Sequence, residues 1–146
     1  MLADWIDTRF QDKFVEDHDL IVMGDFNVPK IGDKLFEALT SRGLQVPDSL
    51  VNLKAGDQVI AGSNLGKNAR YDQILHLPTL KKRFTNHGGT LDFFGSDARI
   101  KELFPDKDYT RTKFSYQLSD HFPLWVQLDT DIDGERLTQI VQDGKK

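Results

Sequence analysis

The chain of 146 residues contains no cysteine, and its 19 basic and 23 acidic side chains give a formal net charge of −4. Thiol nucleophiles, cysteine zinc sites and disulfide frameworks are therefore excluded. A chain of this length can bury a core of its own, and its net negative charge is a mild argument against tight, salt-driven binding to nucleic acid.

The N-terminal third predicts a helix, a strand and a second helix. Apolar side chains at three- to four-residue spacing predict an amphipathic first helix; they are Leu2, Trp5, Ile6, Phe10 and Phe14. The apolar run 19–23 stops at Gly24, which predicts a strand buried on both faces. A second helix is predicted over 33–42, with Gly43 as its C-terminal stop. A helix that leads into a buried strand favours an α/β arrangement of layers.

The rest of the chain predicts short elements separated by polar segments. In order they are a loop rich in Gly, Asn and Asp over 54–68, strands over 71–77, 80–85 and 90–94, a helix over 98–104, a strand over 122–128 and a polar tail over 131–146 with one or two helical turns. Residues 86–89 predict a hairpin-like turn between the second and third of these strands. His18, His76 and His87 are expected on the surface or in loops. No apolar run approaches the roughly 20 residues that span a bilayer, so no membrane span is expected.

The first motif that could carry chemistry is Gly24-Asp25-Phe26-Asn27, directly after the first predicted strand. A strand that ends in Gly turns sharply and presents a carboxylate and an amide at the end of the sheet, where α/β proteins often bind ligands. The alternative is that Asp25 and Asn27 only form an Asx-turn.

Two further motifs also lie at strand boundaries. Ser119-Asp120-His121 precedes the last strand, and there the carboxylate can serve a cation while the imidazole serves a phosphate oxygen or a proton. Asp72, in Tyr71-Asp72-Gln73-Ile74, is costly to bury in a strand unless it is paired, and His121 is a candidate partner. The alternative for the first of these two motifs is that Asp120 and His121 only face solvent at the start of a strand. The alternative for the second is that Asp72 lies on the solvent-exposed face of an edge strand.

In this order, the three motifs resemble the C-terminal half of the endonuclease/exonuclease/phosphatase superfamily. Deoxyribonuclease I, apurinic/apyrimidinic endonucleases, neutral sphingomyelinases and inositol polyphosphate phosphatases share its fold. The resemblance runs from the first helix to Leu128, and Tyr71-Asp72-Gln73-Ile74 looks more like the deoxyribonuclease I branch.

The resemblance implies a role for each motif residue in hydrolysis of a phosphoester. Asp25 would orient the attacking water, and Asn27 would hold a phosphate oxygen or help to place that water. His121 would contact the scissile phosphate, and Asp72 would pair with His121 and keep it oriented. Asp120 would ligate a divalent cation, for which Mg²⁺, or Mn²⁺ in its place, fits better than zinc because no Cys or paired His accompanies it.

The resemblance also implies a fold class, α/β or α+β by some schemes, in the form of the deoxyribonuclease I-like four-layer sandwich. Residues 1–130 would be its C-terminal half, one mixed β-sheet with helices on one face, and 131–146 a polar tail. The glutamate that is the family's principal metal ligand has no counterpart here, so a half-domain with weak metal binding and little hydrolysis on its own is expected. The uncovered sheet face predicts a homodimer.

Other members of the same superfamily leave the substrate open. A nuclease-type phosphodiesterase acting on DNA and a phosphomonoesterase or phospholipase both stay compatible with the motifs. A non-catalytic half-domain is the other alternative, and it is disfavoured by the intact set of motif residues, which are Asp25, Asn27, Asp72, Asp120 and His121. The loop 54–68 and the segment around His87 would decide between nucleic acid, lipid and inositol phosphate.

Overall fold

The computed structural model describes residues 2–15, 19–51, 54–55, 58–59, 62–130 and 133–143, and in these ranges the chain is a mixed α/β protein. The helices are α1 (Leu2–Phe10), α2 (Lys34–Thr40), α3 (Asp48–Val51), α4 (Asp97–Leu103), α5 (Arg111–Ser115) and α6 (Asp133–Asp143), with a 3-10 helix over Pro78–Arg83. The strands are β1 (Ile21–Asp25), β2 (Lys54–Ala55), β3 (Gln58–Val59), β4 (Asp72–His76), β5 (Phe84–Thr90) and β6 (Leu124–Leu128).

Helix α1 is shorter than its apolar spacing predicts. It ends at Phe10, and Phe14 is exposed. The carboxylate of Asp12 accepts the backbone N–H of Phe14 at 3.0 Å, a local turn that competes with continued helix. Helix α2 follows the prediction closely, because Asp33 caps its first turn by accepting the N–H of Leu35 and Gly43, at φ +91°, lies in the left-handed region just after its end.

Strands β1 and β4 pair antiparallel, from Ile21 opposite His76 to Asp25 opposite Asp72. One side of this pair packs on a core of Ile6, Leu39, Leu44 and Leu75. The prediction that β1 is buried on both faces is wrong, because the side chain of Met23 is 68% exposed.

The C-terminal strands differ most from the prediction. The expected strand 80–85 is mostly the 3-10 helix, which begins with Pro78 at its first turn, a position that favours helical geometry. The expected turn 86–89 lies inside β5, which pairs antiparallel with β6 and has a register shift between Phe84 and Gly88. Gly88 serves close packing here, because a Cβ on it would lie 2.6 Å from Ser49 Oγ of α3.

Of the predicted strand 90–94, only Thr90 lies in a strand, as the last residue of β5; residues 91–94 are a loop whose last residue, Phe94, is fully buried. Phe94 packs with Ile100 and Phe122 in a second core, and Phe114 meets its ring edge-on. The predicted helix over 98–104 is confirmed as α4, capped by the hydroxyl of Ser96. The tail contains a helix of 11 residues, α6, which is longer than predicted.

The histidines outside the motifs divide between core and surface. His87 is exposed as predicted, and His18 lies outside the described residues. His76 is buried, contrary to the prediction, because its Nδ1 donates to the Leu77 carbonyl at 2.7 Å and its ring stacks on Phe84.

Among the described residues the strands form three separate antiparallel pairs, β1–β4, β2–β3 and β5–β6, and not the single mixed sheet that the resemblance implies. Just before β6, the carbonyl of Asp120 accepts the N–H of Leu65 and the N–H of Phe122 donates to the carbonyl of Ser63, so this segment pairs with the loop that contains Ser63 and not with β4. The pair β2–β3 falls in the predicted loop 54–68. Across the described ranges, no helix is long and apolar enough to cross a bilayer.

Candidate active site

The structure brings two of the predicted site residues into direct contact. His121 Nδ1 lies 2.8 Å from Asp72 Oδ2, although 49 positions separate the two residues in the chain. An ionised carboxylate only accepts hydrogen bonds, so Nδ1 is the donor and the pair fixes the Nδ1–H form of the ring. About a quarter of each side chain is exposed, so the pair is partly shielded and still reachable by solvent.

Asp25 joins this pair through the register of β1 and β4. It lies directly opposite Asp72, and the next backbone bond runs from Phe26 N to Tyr71 O at 2.9 Å. Directly opposed residues of an antiparallel pair share one face of the sheet, so the carboxylates of Asp25 and Asp72 lie on the same side.

Asn27 is placed by the turn that follows β1. The carboxylate Oδ1 of Asp25 accepts the N–H of Asn27 at 2.9 Å, and Asn27 has a left-handed φ of +53°. The Asx-turn that was the alternative interpretation of this motif is therefore present. It leaves the second carboxylate oxygen of Asp25 outside the turn.

Asp120 is exposed, and its carboxylate makes no hydrogen bond or ion pair within the described part of the chain. Its backbone carbonyl accepts the N–H of Leu65 at 2.8 Å, and His121 pairs with Asn64 in an isolated antiparallel bridge. The motif is thus held by its backbone, while the Asp120 carboxylate is free to meet a ligand.

His121 lies between two clefts. The first, of about 620 Å³, is mostly apolar; its lining includes Met23, Ile74, Phe93, Leu118, Phe122 and Leu124, together with Asp72 and His121. The second, of about 550 Å³, is more polar; its lining includes Asn64, Tyr71, Thr112, Tyr116, Asp120 and His121. Both volumes are within the range of small-molecule sites.

The described residues form no complete metal site. No group of three or more His, Asp or Glu side chains is placed to hold an ion in the part of the chain that the structure describes. Mg²⁺ in enzymes often uses only one or two carboxylates and completes its shell with water and substrate phosphate. Asp120 fits the part of one such ligand, so a cation here would depend on water and substrate for the rest of its shell.

Sequence reasoning missed two features around the site. The ring of Tyr71 stacks on His121, with centroids 5.7 Å apart and 23° between the planes. Its position next to Asp72 in the motif was a usable signal for this contact. The second feature, the buried Ser63 beneath the pair, has no such signal, because Gly-Ser-Asn in a loop is ordinary turn composition.

A cluster of three charged side chains, which the sequence analysis did not predict, holds the loop that follows Ser63. Asp92 Oδ2 lies 2.6 Å from Lys67 Nζ and 3.4 Å from Arg111 Nη2. Burial raises the pKa of Asp92, but hydrogen bonds from Lys67 and the Gly95 N–H, with the charges of Lys67 and Arg111, outweigh it, so the pKa is below its ordinary value.

Comparisons with protein-family models, with curated proteins and with solved structures find no match to this chain. The resemblance of the three motifs to the endonuclease/exonuclease/phosphatase superfamily therefore stays a prediction.

Proposed function

We propose that this chain is a phosphoester hydrolase of the endonuclease/exonuclease/phosphatase type, acting on phosphodiesters, with the Asp72–His121 pair at its centre. The observation that carries the proposal is the 2.8 Å contact between Nδ1 and Oδ2 of residues that belong to two separate sequence motifs. An acid–imidazole pair beside open clefts is suited to work on a phosphate, because the carboxylate orients a ring whose other nitrogen is left for the substrate.

His121 is the group that contacts the phosphate in this proposal. With Nδ1 donating to Asp72, the remaining nitrogen Nε2 is available to a non-bridging phosphate oxygen. A protonated ring donates there and stabilises the negative charge that develops as water adds to phosphorus. Asp72 acts through the ring and does not need to touch the substrate.

Asp25 is the group that places the water. One of its oxygens is used by the turn to Asn27, and the other is left for a water molecule. The water oxygen bonds to phosphorus as the ester P–O bond breaks, the water proton passes to the carboxylate, and the released alkoxide takes a proton from solvent. The products are a phosphomonoester and an alcohol, and the Asn27 amide would hold a phosphate oxygen.

Asp120 would hold a Mg²⁺ ion, or Mn²⁺ in its place, with water and the substrate completing the shell. Such an ion neutralises charge on the phosphate. Because the described residues contribute so few ligands, we expect weak metal binding and slow hydrolysis by this chain alone.

The fold belongs to the same proposal, as the C-terminal half of a four-layer sandwich over 1–130 followed by the tail 131–146. It is supported by the position of the motifs, since Asp25 ends β1, Asp72 begins β4 and His121 lies just before β6.

One observation favours a second candidate within the superfamily. The larger cleft beside Asp72 and His121 is mostly apolar, whereas a nucleic-acid groove is usually basic. A substrate with an apolar group on its phosphate, as in a phospholipid, fits that lining better than DNA does.

The experiment is a hydrolysis assay of the full chain with Mg²⁺ on three substrates: plasmid DNA, sphingomyelin vesicles and bis(4-nitrophenyl) phosphate. We expect slow hydrolysis that needs the metal and falls by about 10²- to 10⁴-fold in His121→Ala. Glu102→Gln is the control, because this residue is exposed on α4, belongs to none of the three motifs and should leave the rate unchanged.

Preference for sphingomyelin over DNA would select the second candidate. Absence of metal-dependent hydrolysis of all three substrates, or equal rates in wild type and His121→Ala, would contradict the proposed function.

A further inference from the structure

Ser63 lies beneath the Asp72–His121 pair, and its exposed fraction is 1%. Its hydroxyl oxygen accepts the backbone N–H of Asp72 at 3.1 Å. Its carbonyl accepts the N–H of Phe122 at 2.6 Å, and its own N–H donates to the carbonyl of Ala69 at 3.0 Å. One buried residue therefore binds the backbone on both sides of the pair.

These bonds link two segments that the described sheets do not join. Asp72 begins β4, and Phe122 directly follows His121 just before β6, and these strands belong to different antiparallel pairs. The Ser63 hydroxyl binds the segment that begins at Asp72, and the Ser63 carbonyl binds the segment that follows His121. The spacing between the two members of the pair thus depends on Ser63.

Ser63 is itself held in place by its loop. The side-chain oxygen of Asn64 accepts the N–H groups of Asn68 and Ala69 at 3.0 and 2.9 Å. Lys67 in this loop has a left-handed φ of +54° and contacts Asp92. The hydroxyl of Ser63 therefore reaches Asp72 from a closed loop with several internal hydrogen bonds.

We propose that Ser63 is a positioning residue, whose hydroxyl keeps the Asp72 backbone at the distance that lets its carboxylate accept from His121 Nδ1. The catalytic consequence rests on the proposed function, but the structural consequence for the pair does not. Without the hydroxyl, the partly buried N–H of Asp72 loses its acceptor, and the start of β4 is free to shift. A displacement of a few tenths of an ångström weakens a hydrogen bond of this length and releases the ring.

The first test is the tautomer of His121 in its neutral form, read from long-range ¹H–¹⁵N spectra of the ring in the full chain. We expect the Nδ1–H form in wild type, because that nitrogen donates to a carboxylate. In Ser63→Ala we expect loss of that form in favour of Nε2–H. Ser49→Ala is the matched control, because the buried Ser49 hydroxyl, on α3 beside Gly88 of β5, has no hydrogen-bond partner in the part of the chain that the structure describes.

Two more measurements test the inference independently. Hydrogen exchange of the Asp72 amide in wild type should be slow, because its acceptor is a buried hydroxyl. Ser63→Cys keeps the shape but offers a weaker acceptor, so it should lose part of the Nδ1–H form, and it decides the question if Ser63→Ala does not fold.

The kinetic expectation for Ser63→Ala is about a tenfold fall in kcat with KM changed by less than about twofold, since Ser63 does not touch the substrate. If Ser63→Ala keeps the wild-type tautomer, or if the Asp72 amide exchanges like an exposed one, Ser63 is not a positioning residue. If wild type hydrolyses nothing but the tautomer changes in Ser63→Ala, the proposed function fails and the role of Ser63 stands.

Discussion

Asp92 combines two functions in one side chain, and two substitutions separate them. Its Oδ1 accepts the N–H groups of Phe94 and Gly95 at 3.1 and 3.0 Å, which forms the turn after β5. Its Oδ2 pairs with Lys67 and Arg111. Asp92→Asn keeps an oxygen for the turn and removes the charge, whereas Asp92→Ala removes both.

The structure gives the size of each effect. The carboxylate is 23% exposed and each cation 31%, so the pairs are partly shielded, and their loss in Asp92→Asn should lower the free energy of unfolding by about 1–2 kcal/mol. Asp92→Ala also removes two backbone hydrogen bonds at about 1 kcal/mol each, so its total should be about 3–4 kcal/mol.

The cost of Asp92→Asn should depend on pH. The pKa of Asp92 is lower in the folded chain than the ordinary value of 3.8, so the folded state binds this proton less tightly than the unfolded state. Stability from the charge is therefore present above that value and is lost as the pH falls through the folded pKa.

The assay is urea unfolding of wild type and both variants at about pH 7 and about pH 3. Asp108→Asn is the control, because Asp108 pairs with Lys113 at 2.9 Å but is fully exposed, and its loss should not change stability measurably. Equal costs for Asp92→Asn and Asp92→Ala at neutral pH, or an unchanged Asp92→Asn cost in acid, would refute the separation of charge and turn.

Three other predictions follow from packing and burial. Gly88→Ala should lower the free energy of unfolding, measured in urea, by about 1–3 kcal/mol, because the new Cβ would lie 2.6 Å from Ser49 Oγ and 3.0 Å from the Trp125 carbonyl oxygen. An unchanged midpoint of urea unfolding would contradict this, because it would show that β5 moves away without cost. Burial lowers the pKa of Arg70 from its ordinary value to about 10, so stability should rise as the pH increases above about 10. At neutral pH the buried charge costs up to about 3 kcal/mol, so Arg70→Met should raise the free energy of unfolding by that amount less the contribution of the hydrogen bond from Nη1 to the Leu50 carbonyl; a clear loss of stability would contradict this. Met23, Leu118 and Trp125 are exposed, so we expect a dimer in light scattering at tens of micromolar, and a monomer would count against that pairing.

The sequence by itself determined the elements that depend on close neighbours in the chain. Helix α2 lies between its cap Asp33 and Gly43, and α4 begins after its cap Ser96, because a cap and its helix end interact within three or four residues. The sequence also predicted Asp72 and His121 as partners. A charged residue in a strand needs a partner of opposite charge or a hydrogen-bond partner, and the family that the motifs resemble implies this pairing.

Only the tertiary structure decided which distant segments meet. Residues 86–89 have turn composition, yet they lie in β5 because β6 provides a partner strand and Ser49 of α3 lies close to Gly88. Met23 is exposed although its neighbours are apolar, because the core of Ile6, Leu39, Leu44 and Leu75 lies against the opposite side of β1. Ser63 binds the backbone of residues 9 and 59 positions further along the chain, and the ion pairs of Asp92 join it to residues 19 and 25 positions away. A local sequence pattern does not reveal contacts of this kind.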